Sequence, residues 1–309
     1  MLRRVLLIVG VLVVVGVAAG LLITAPRKLP ASVLAAGYHP DLANGEVMFT
    51  AGNCSACHMT GGQTDRTQLA GGLKLQSPFG TFVAPNISSD PKHGIGGWSE
   101  LEFVNAVKRG TGRHGEHLYP AFPYSAYSQM KTADVRDLFA YMKTLPAAAT
   151  PSAPHELGFP FNIRLAVGGW KLLYFRPQEF VADPKQSAAW NRGAYLAEGP
   201  AHCAECHTAR GPLGGPELDK LYVGAPNLEK GGRFATNITS HPKDGLGDWS
   251  ADDIASLLSS GTDKCFNEPE GMRSVLASTM KLPADDVAAL AAYIHALPPK
   301  AGNGKEKTC

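Results

Sequence analysis

The sequence predicts a mainly α-helical protein made of two tandem units with long loops, preceded by one apolar N-terminal helix. Three observations carry that reading. A 14-residue segment occurs twice, about 150 residues apart. Each copy is flanked by short stretches with helical periodicity and helix-start signals. Glycine and proline together make 57 of 309 residues, 34 and 23, so much of the chain outside those helices is ordered loop.

The first element follows Arg3 and Arg4. Val5 to Ile23 is an unbroken apolar run of about 19 residues, roughly 28 Å as a helix and enough for a bilayer core. An uncleaved anchor is favoured over a cleaved signal segment, because Pro26 argues against cutting after Ala25 and the run is long for a signal. Charge does not orient it, since Arg27 and Lys28 balance Arg3 and Arg4. Residues 1–30 are assigned to this segment.

The first unit, residues 38–150, opens with a helix from Asp41 to Ala51 and closes with one bearing Val135, Leu138, Phe139, Met142 and Leu145 before Pro146. The second, residues 188–309, opens from Ala188 to Glu198 and closes with Val287, Leu290, Ile294 and Leu297 before Pro298. Gly45 and Gly193 occupy matching places in the opening helices, as do Tyr141 and Tyr293 in the closing ones. This is the pattern of a glycine admitting a neighbouring helix that carries an aromatic residue. The repeated segment runs from Asn86 to Ser99 and from Asn237 to Ser250, with nine of fourteen positions identical. Ser99 with Glu102, and Ser250 with Asp253, predict capped helix starts just after it. Between the units, residues 151–187 form a connecting segment, introduced by an alanine- and proline-rich stretch read as a semi-rigid linker. Its apolar runs, Phe159 to Ile163 and Trp170 to Phe175, are expected either to pack between the units or to contact a membrane or partner.

The chemistry lies in two five-residue motifs, Cys54-Ser55-Ala56-Cys57-His58 and Cys203-Ala204-Glu205-Cys206-His207. This is the attachment signature of c-type haem. Two thiols one helical turn apart add to the two haem vinyl groups, and the adjacent histidine falls beneath the iron. A zinc site would need further ligands, and a thioredoxin-like dithiol would need a βαβ setting. Two covalently attached haems c are therefore expected, held by Cys54, Cys57 and His58 and by Cys203, Cys206 and His207. A net charge of +2 offers no basic excess for nucleic acid.

With these motifs, the Asn-Ile-[Ser/Thr] … Gly-x-Gly-x-Trp-Ser segments and the run Leu118 to Tyr124, the chain resembles two tandem class I cytochrome c domains behind a transmembrane helix. More narrowly, it is similar to the multihaem cytochrome c subunits of alcohol, gluconate and aldehyde dehydrogenases. It departs from them in having two attachment motifs where they have three. The resemblance implies an electron carrier in the bacterial cell membrane, anchored by its N-terminal helix with the haem domains on the periplasmic side. It would take electrons from a partner dehydrogenase and pass them to a quinone, cytochrome or terminal oxidase. It would be an electron-transfer subunit with no catalytic residues of its own. The alternative is a dihaem redox enzyme such as a peroxidase or thiosulfate dehydrogenase.

The resemblance places an axial methionine at Met272, with Met280 as competitor. In the first unit it puts Phe122 where relatives often carry methionine, and phenylalanine cannot bind iron. Met130, in register with Met280, is the replacement expected there; His114, His117 and an open position are the other candidates. Cys265 and Cys309 are expected to pair as a disulfide, the alternative being Cys265 as a free thiol or a haem ligand. The remaining histidines, including His202, are expected at the surface or in ordinary hydrogen bonds.

Overall fold

The computed structural model describes residues 1–225, 235–264 and 269–302. Cys265 and Cys309 lie outside the described residues. Helix α1, Leu2–Ile23, is 22 residues and about 33 Å long with no buried residue, and is apolar beyond Arg3 and Arg4. Thr24 closes it, its amide and hydroxyl both donating to the Gly20 carbonyl.

The first unit starts with α2, Leu42–Ala51, where the Asp41 carboxylate accepts from the amides of Ala43 and Asn44. One turn of helix, α3 (Cys54–His58), carries the first motif. An antiparallel hairpin follows, β1 (Lys74–Ser77) and β2 (Gly80–Val83), in the register Lys74 to Val83. Helix α4, Glu100–Arg109, has the capping box read from Ser99 and Glu102, with both reciprocal bonds present. After α5 (Tyr124–Tyr127), α6 (Thr132–Met142) closes the unit.

The Ala/Pro stretch is no free linker. Asn86 holds it by donating to the carbonyls of Ala148 and Thr150, the amide of Asn86 donates to Ser152 Oγ, and β3 (Glu156–Leu157) adds to the edge of β2. Composition predicted a semi-rigid linker, and the bonds to the Ala148 and Thr150 carbonyls hold the stretch along the unit it leaves. Helix α7, Ala166–Tyr174, then leads toward the second unit.

The second unit contains α8 (Ala188–Glu198), α9 (Ala204–His207), α10 (Ala251–Ser260), α11 (Arg273–Thr279) and α12 (Ala284–His295). Ser250 and Asp253 form the second capping box.

In each unit the opening helix crosses the closing one at a glycine. A Cβ on Gly45 would lie 2.3 Å from the Asp137 carbonyl oxygen and 2.7 Å from Tyr141 Cβ. On Gly193 it would lie 1.9 Å from the Ala289 oxygen and 2.8 Å from Tyr293 Cβ. Polar clamps fasten both crossings: Asp137 accepts from Tyr38, Asn44 and the amide of Asp41, and Arg192 binds Asp286 through two bonds of 2.7 and 2.8 Å.

The units share one continuous core, with Met48, Val104 and Val135 from the first and Leu196, Leu258 and Leu290 from the second. Across the boundary Tyr195 donates to Asp134, Lys131 N donates back to the Tyr195 hydroxyl at 3.2 Å, and Gln129 Nε2 donates to the Glu198 carbonyl.

Candidate haem-attachment sites

Each motif lies on a short helical turn soon after an opening helix, with Cys203 as the N-cap of the second turn. Asn53, with φ of 47°, turns the chain out of α2 into α3, and His202, with φ of 40°, does the same before Cys203. None of the four motif cysteines is in a disulfide. Burial pushes the Cys54 and Cys203 thiols up to about 12, reinforced by Cys57 and Cys206 one turn away, so Cys54 and Cys203 rest as neutral thiols.

The two histidines make the same kind of hydrogen bond. His58 Nδ1 lies 2.8 Å from the Pro85 carbonyl oxygen, and His207 Nδ1 lies 2.7 Å from that of Thr236. A carbonyl can only accept, so each Nδ1 carries the proton and donates. Burial holds both imidazoles below their ordinary pKa against the opposing pull of that bond, which keeps them neutral. A neutral ring with Nδ1–H engaged presents a bare Nε2 lone pair, the form that binds iron, and the carbonyl fixes its orientation. Pro85 and Thr236 immediately precede the two copies of the repeated segment, so the repeat itself supplies both orienting carbonyls. The donor set, two thiols and one fixed imidazole per motif, fits covalently attached haem.

The structure brings the two motifs together. His202 Nε2 lies 3.4 Å from the Gly52 carbonyl oxygen, so the residues leading into each motif meet. The Tyr127 ring packs on His202 with centroids 5.5 Å apart, and its hydroxyl donates to the same Gly52 carbonyl at 3.2 Å. Asn53 Oδ1 accepts from Ser278 Oγ of α11 at 2.7 Å, and Arg66 bonds to both. His202, expected at the surface, is thus an inter-unit contact. Sequence reasoning missed it because its partner is 150 residues away; its only local signal was adjacency to Cys203.

The methionines differ. Met272 caps the start of α11 and packs partly buried against the core, whereas Met280 is half exposed beside Gly261. Met130 is 1% exposed, one turn beyond Tyr127, with Cγ within 4 Å of where a side chain on Gly199 of the second unit would begin. His114 is exposed, and His117 turns its Nε2 to the Thr24 carbonyl at 2.8 Å, at the foot of α1. Neither histidine is held toward a motif. Asn86 and Asn237 fix the repeated turns: each accepts the amide two residues on and donates to the segment beyond the closing helix.

The cytochrome c family profile matches residues 42–146. Over 290 residues the chain is 41% identical to the "Diheme cytochrome c-type" protein of Cereibacter sphaeroides, covering 93% of this chain and 96% of that protein. The chain belongs to the cytochrome c family. Other relatives of this cytochrome are the fructose dehydrogenase cytochrome subunit of Gluconobacter japonicus, 35% identical over 274 residues, and the cytochrome c subunit of the quinone alcohol dehydrogenase of Gluconacetobacter polyoxogenes, 37% identical over 258. Those alignments take in 88% and 80% of this chain but 55% and 54% of the relatives, so it spans about half the length of these dehydrogenase subunits.

Proposed function

We propose that this cytochrome carries two haems c and passes single electrons between them, from a partner dehydrogenase to an acceptor of the respiratory chain. The observation that carries the proposal is the contact between Gly52 and His202, which sets the two attachment motifs side by side. Electron transfer weakens steeply with distance, and adjoining motifs within one core give a short, rigid path. Haem c supplies reversible one-electron chemistry at its iron.

The residues of the chain bind, orient and shield. Cys54, Cys57, Cys203 and Cys206 are the covalent tethers. His58 and His207 are the proximal ligands, oriented by the Pro85 and Thr236 carbonyls. Met272 is the distal donor for the second site and Met130 for the first. The dehydrogenase partner rests on the named relatives, which also favour a carrier over a peroxidase or thiosulfate dehydrogenase. Helix α1 is the membrane anchor, and both units lie on the periplasmic side, where c-type haem is attached. The division into residues 38–150, 151–187 and 188–309 belongs to the same proposal.

The test is to purify the haem-loaded protein from its own membranes, identify the co-purifying dehydrogenase and add that enzyme's substrate in a stopped-flow spectrometer. Reduction of both haems within one turnover is expected. Haems that stay oxidised with substrate, or that turn over peroxide or thiosulfate, overturn the proposal.

A further inference from the structure

The foot of α1 is bound to the first unit without slack. The Thr24 carbonyl accepts from His117, the Arg27 carbonyl accepts from Thr111 Oγ1 at 3.1 Å, and the amide of Leu29 donates to Asn105 Oδ1 at 2.7 Å. Helix α7 is part of the same junction. A Cβ on Gly168 would lie 2.4 Å from the Thr24 carbonyl oxygen and 2.7 Å from Thr24 Cβ, so only glycine lets α7 come this close. The height of α7 is therefore tied to the point where the apolar span ends.

Helix α7 has two faces. Val167 and Gly168 are buried, Phe175 just beyond the helix packs on Tyr124 with centroids 5.1 Å apart, and Lys171 Nζ donates to the carbonyls of Arg109 and Gly110 at the end of α4. On the other side Leu165, Leu172 and Leu173, spaced seven and eight residues apart and so on one stripe, are 61, 45 and 61% exposed. The turn before the helix extends this surface with Phe159, Phe161 and Ile163, all exposed. Cations lie in the same region. Arg27 and Arg109 repel one another, Lys28 approaches Gly115, Arg164 bonds to the His117 carbonyl, and Arg176 bonds to the Leu172 carbonyl.

Exposed leucine and phenylalanine beside arginine and lysine, at the level where a membrane span ends, match the chemistry of a lipid head-group layer. Acyl chains take up the apolar stripe, and anionic phosphates take up the cations. We propose that α7 and residues 159–165 lie in the head-group layer of an anionic bilayer, seating the two-unit body against the membrane beside α1. The proposal rests on the reading of α1 as the anchor. A dehydrogenase subunit or a second copy of the chain is the competing occupant. The bilayer is favoured by the direct contact of α7 with the end of the span.

The test uses the full-length, haem-loaded protein in its own membranes, with photoreactive p-benzoylphenylalanine in place of Leu173 in one sample and Val11 in another. After illumination, mass spectrometry reads what each position has captured. The expected result is a shift by the mass of one phospholipid at both positions. A lipid adduct at Val11 with a protein cross-link, or no adduct, at Leu173 overturns this proposal and leaves the anchor standing. No lipid adduct at either position overturns the anchor reading along with it.

Discussion

Gly193→Ala tests the helix crossing that supports the second attachment site. The added methyl carbon would sit 1.9 Å from the Ala289 carbonyl oxygen, 2.6 Å from its carbon and 2.8 Å from Tyr293 Cβ. A tolerable carbon–oxygen contact is about 3.3 Å, so α8 must withdraw from α12 by about 1.4 Å. The obstructing atoms are backbone or Cβ and cannot swing aside. Overpacking of a filled core costs about 1–3 kcal/mol, and a clash with backbone belongs at the upper end. Alanine returns about 1 kcal/mol of helix propensity, leaving a net loss of about 2 kcal/mol. Withdrawal also strains the Trp190–Tyr293 ring contact at 5.2 Å and the bond from Tyr293 to Glu198. The assay is guanidinium unfolding of the haem-loaded protein followed by circular dichroism. The expected result is a lower midpoint at an unchanged slope. Unchanged stability, or a gain of about 1 kcal/mol as for a glycine in an open helix face, would refute the close-approach argument.

Three further outcomes are expected. Cys54→Ala together with Cys57→Ala should halve the haem content and leave the second haem's spectrum in place, read by haemochrome assay; loss of both haems would contradict separate tethering. Ser250→Ala removes the 3.1 Å bond from the Asp253 amide and should cost about 1 kcal/mol in chemical denaturation, the usual worth of such a cap. Backbone amides of His93, Ser99 and Ser250 hold the carboxyls of Asp90, Glu102 and Asp253, respectively, below the ordinary range. Groups whose folded pKa is depressed stabilise the fold fully above their unfolded value, about 4, and lose that contribution as pH falls through the folded one. Denaturation midpoints should therefore drop below about pH 4, and a flat profile from pH 7 to 2 would count against these bonds.

The placing of each Cys-x-x-Cys-His motif on one turn of helix was legible in the sequence because the arrangement is local: two thiols and an imidazole at that spacing fall within a single turn. The opening and closing helices were legible for the same kind of reason, through caps at Ser99 and Ser250 and apolar periodicity before Pro146 and Pro298. Gly45 and Gly193 showed their packing role because each is matched by a tyrosine in the partner helix. Backbone chemistry was less visible. The carbonyls of Pro85 and Thr236 orient the two histidines, yet a carbonyl leaves no mark on residue type; only their place before the repeated Asn-Ile could have pointed to them. The hairpin from Lys74 to Val83 escaped notice because Lys-Leu-Gln-Ser and Gly-Thr-Phe-Val are too short and mixed to show clean alternation. His117 and His202 take their roles from contacts with Thr24 and Gly52, and long-range contacts of this kind have no local signature.

The most direct test of the central claim is the number of covalent haems per chain. Full-length protein matured with c-type assembly machinery would be assayed by pyridine haemochrome against its protein content. Two haems c per chain is the predicted result, one on each of the adjoining motifs. One haem or none would contradict it.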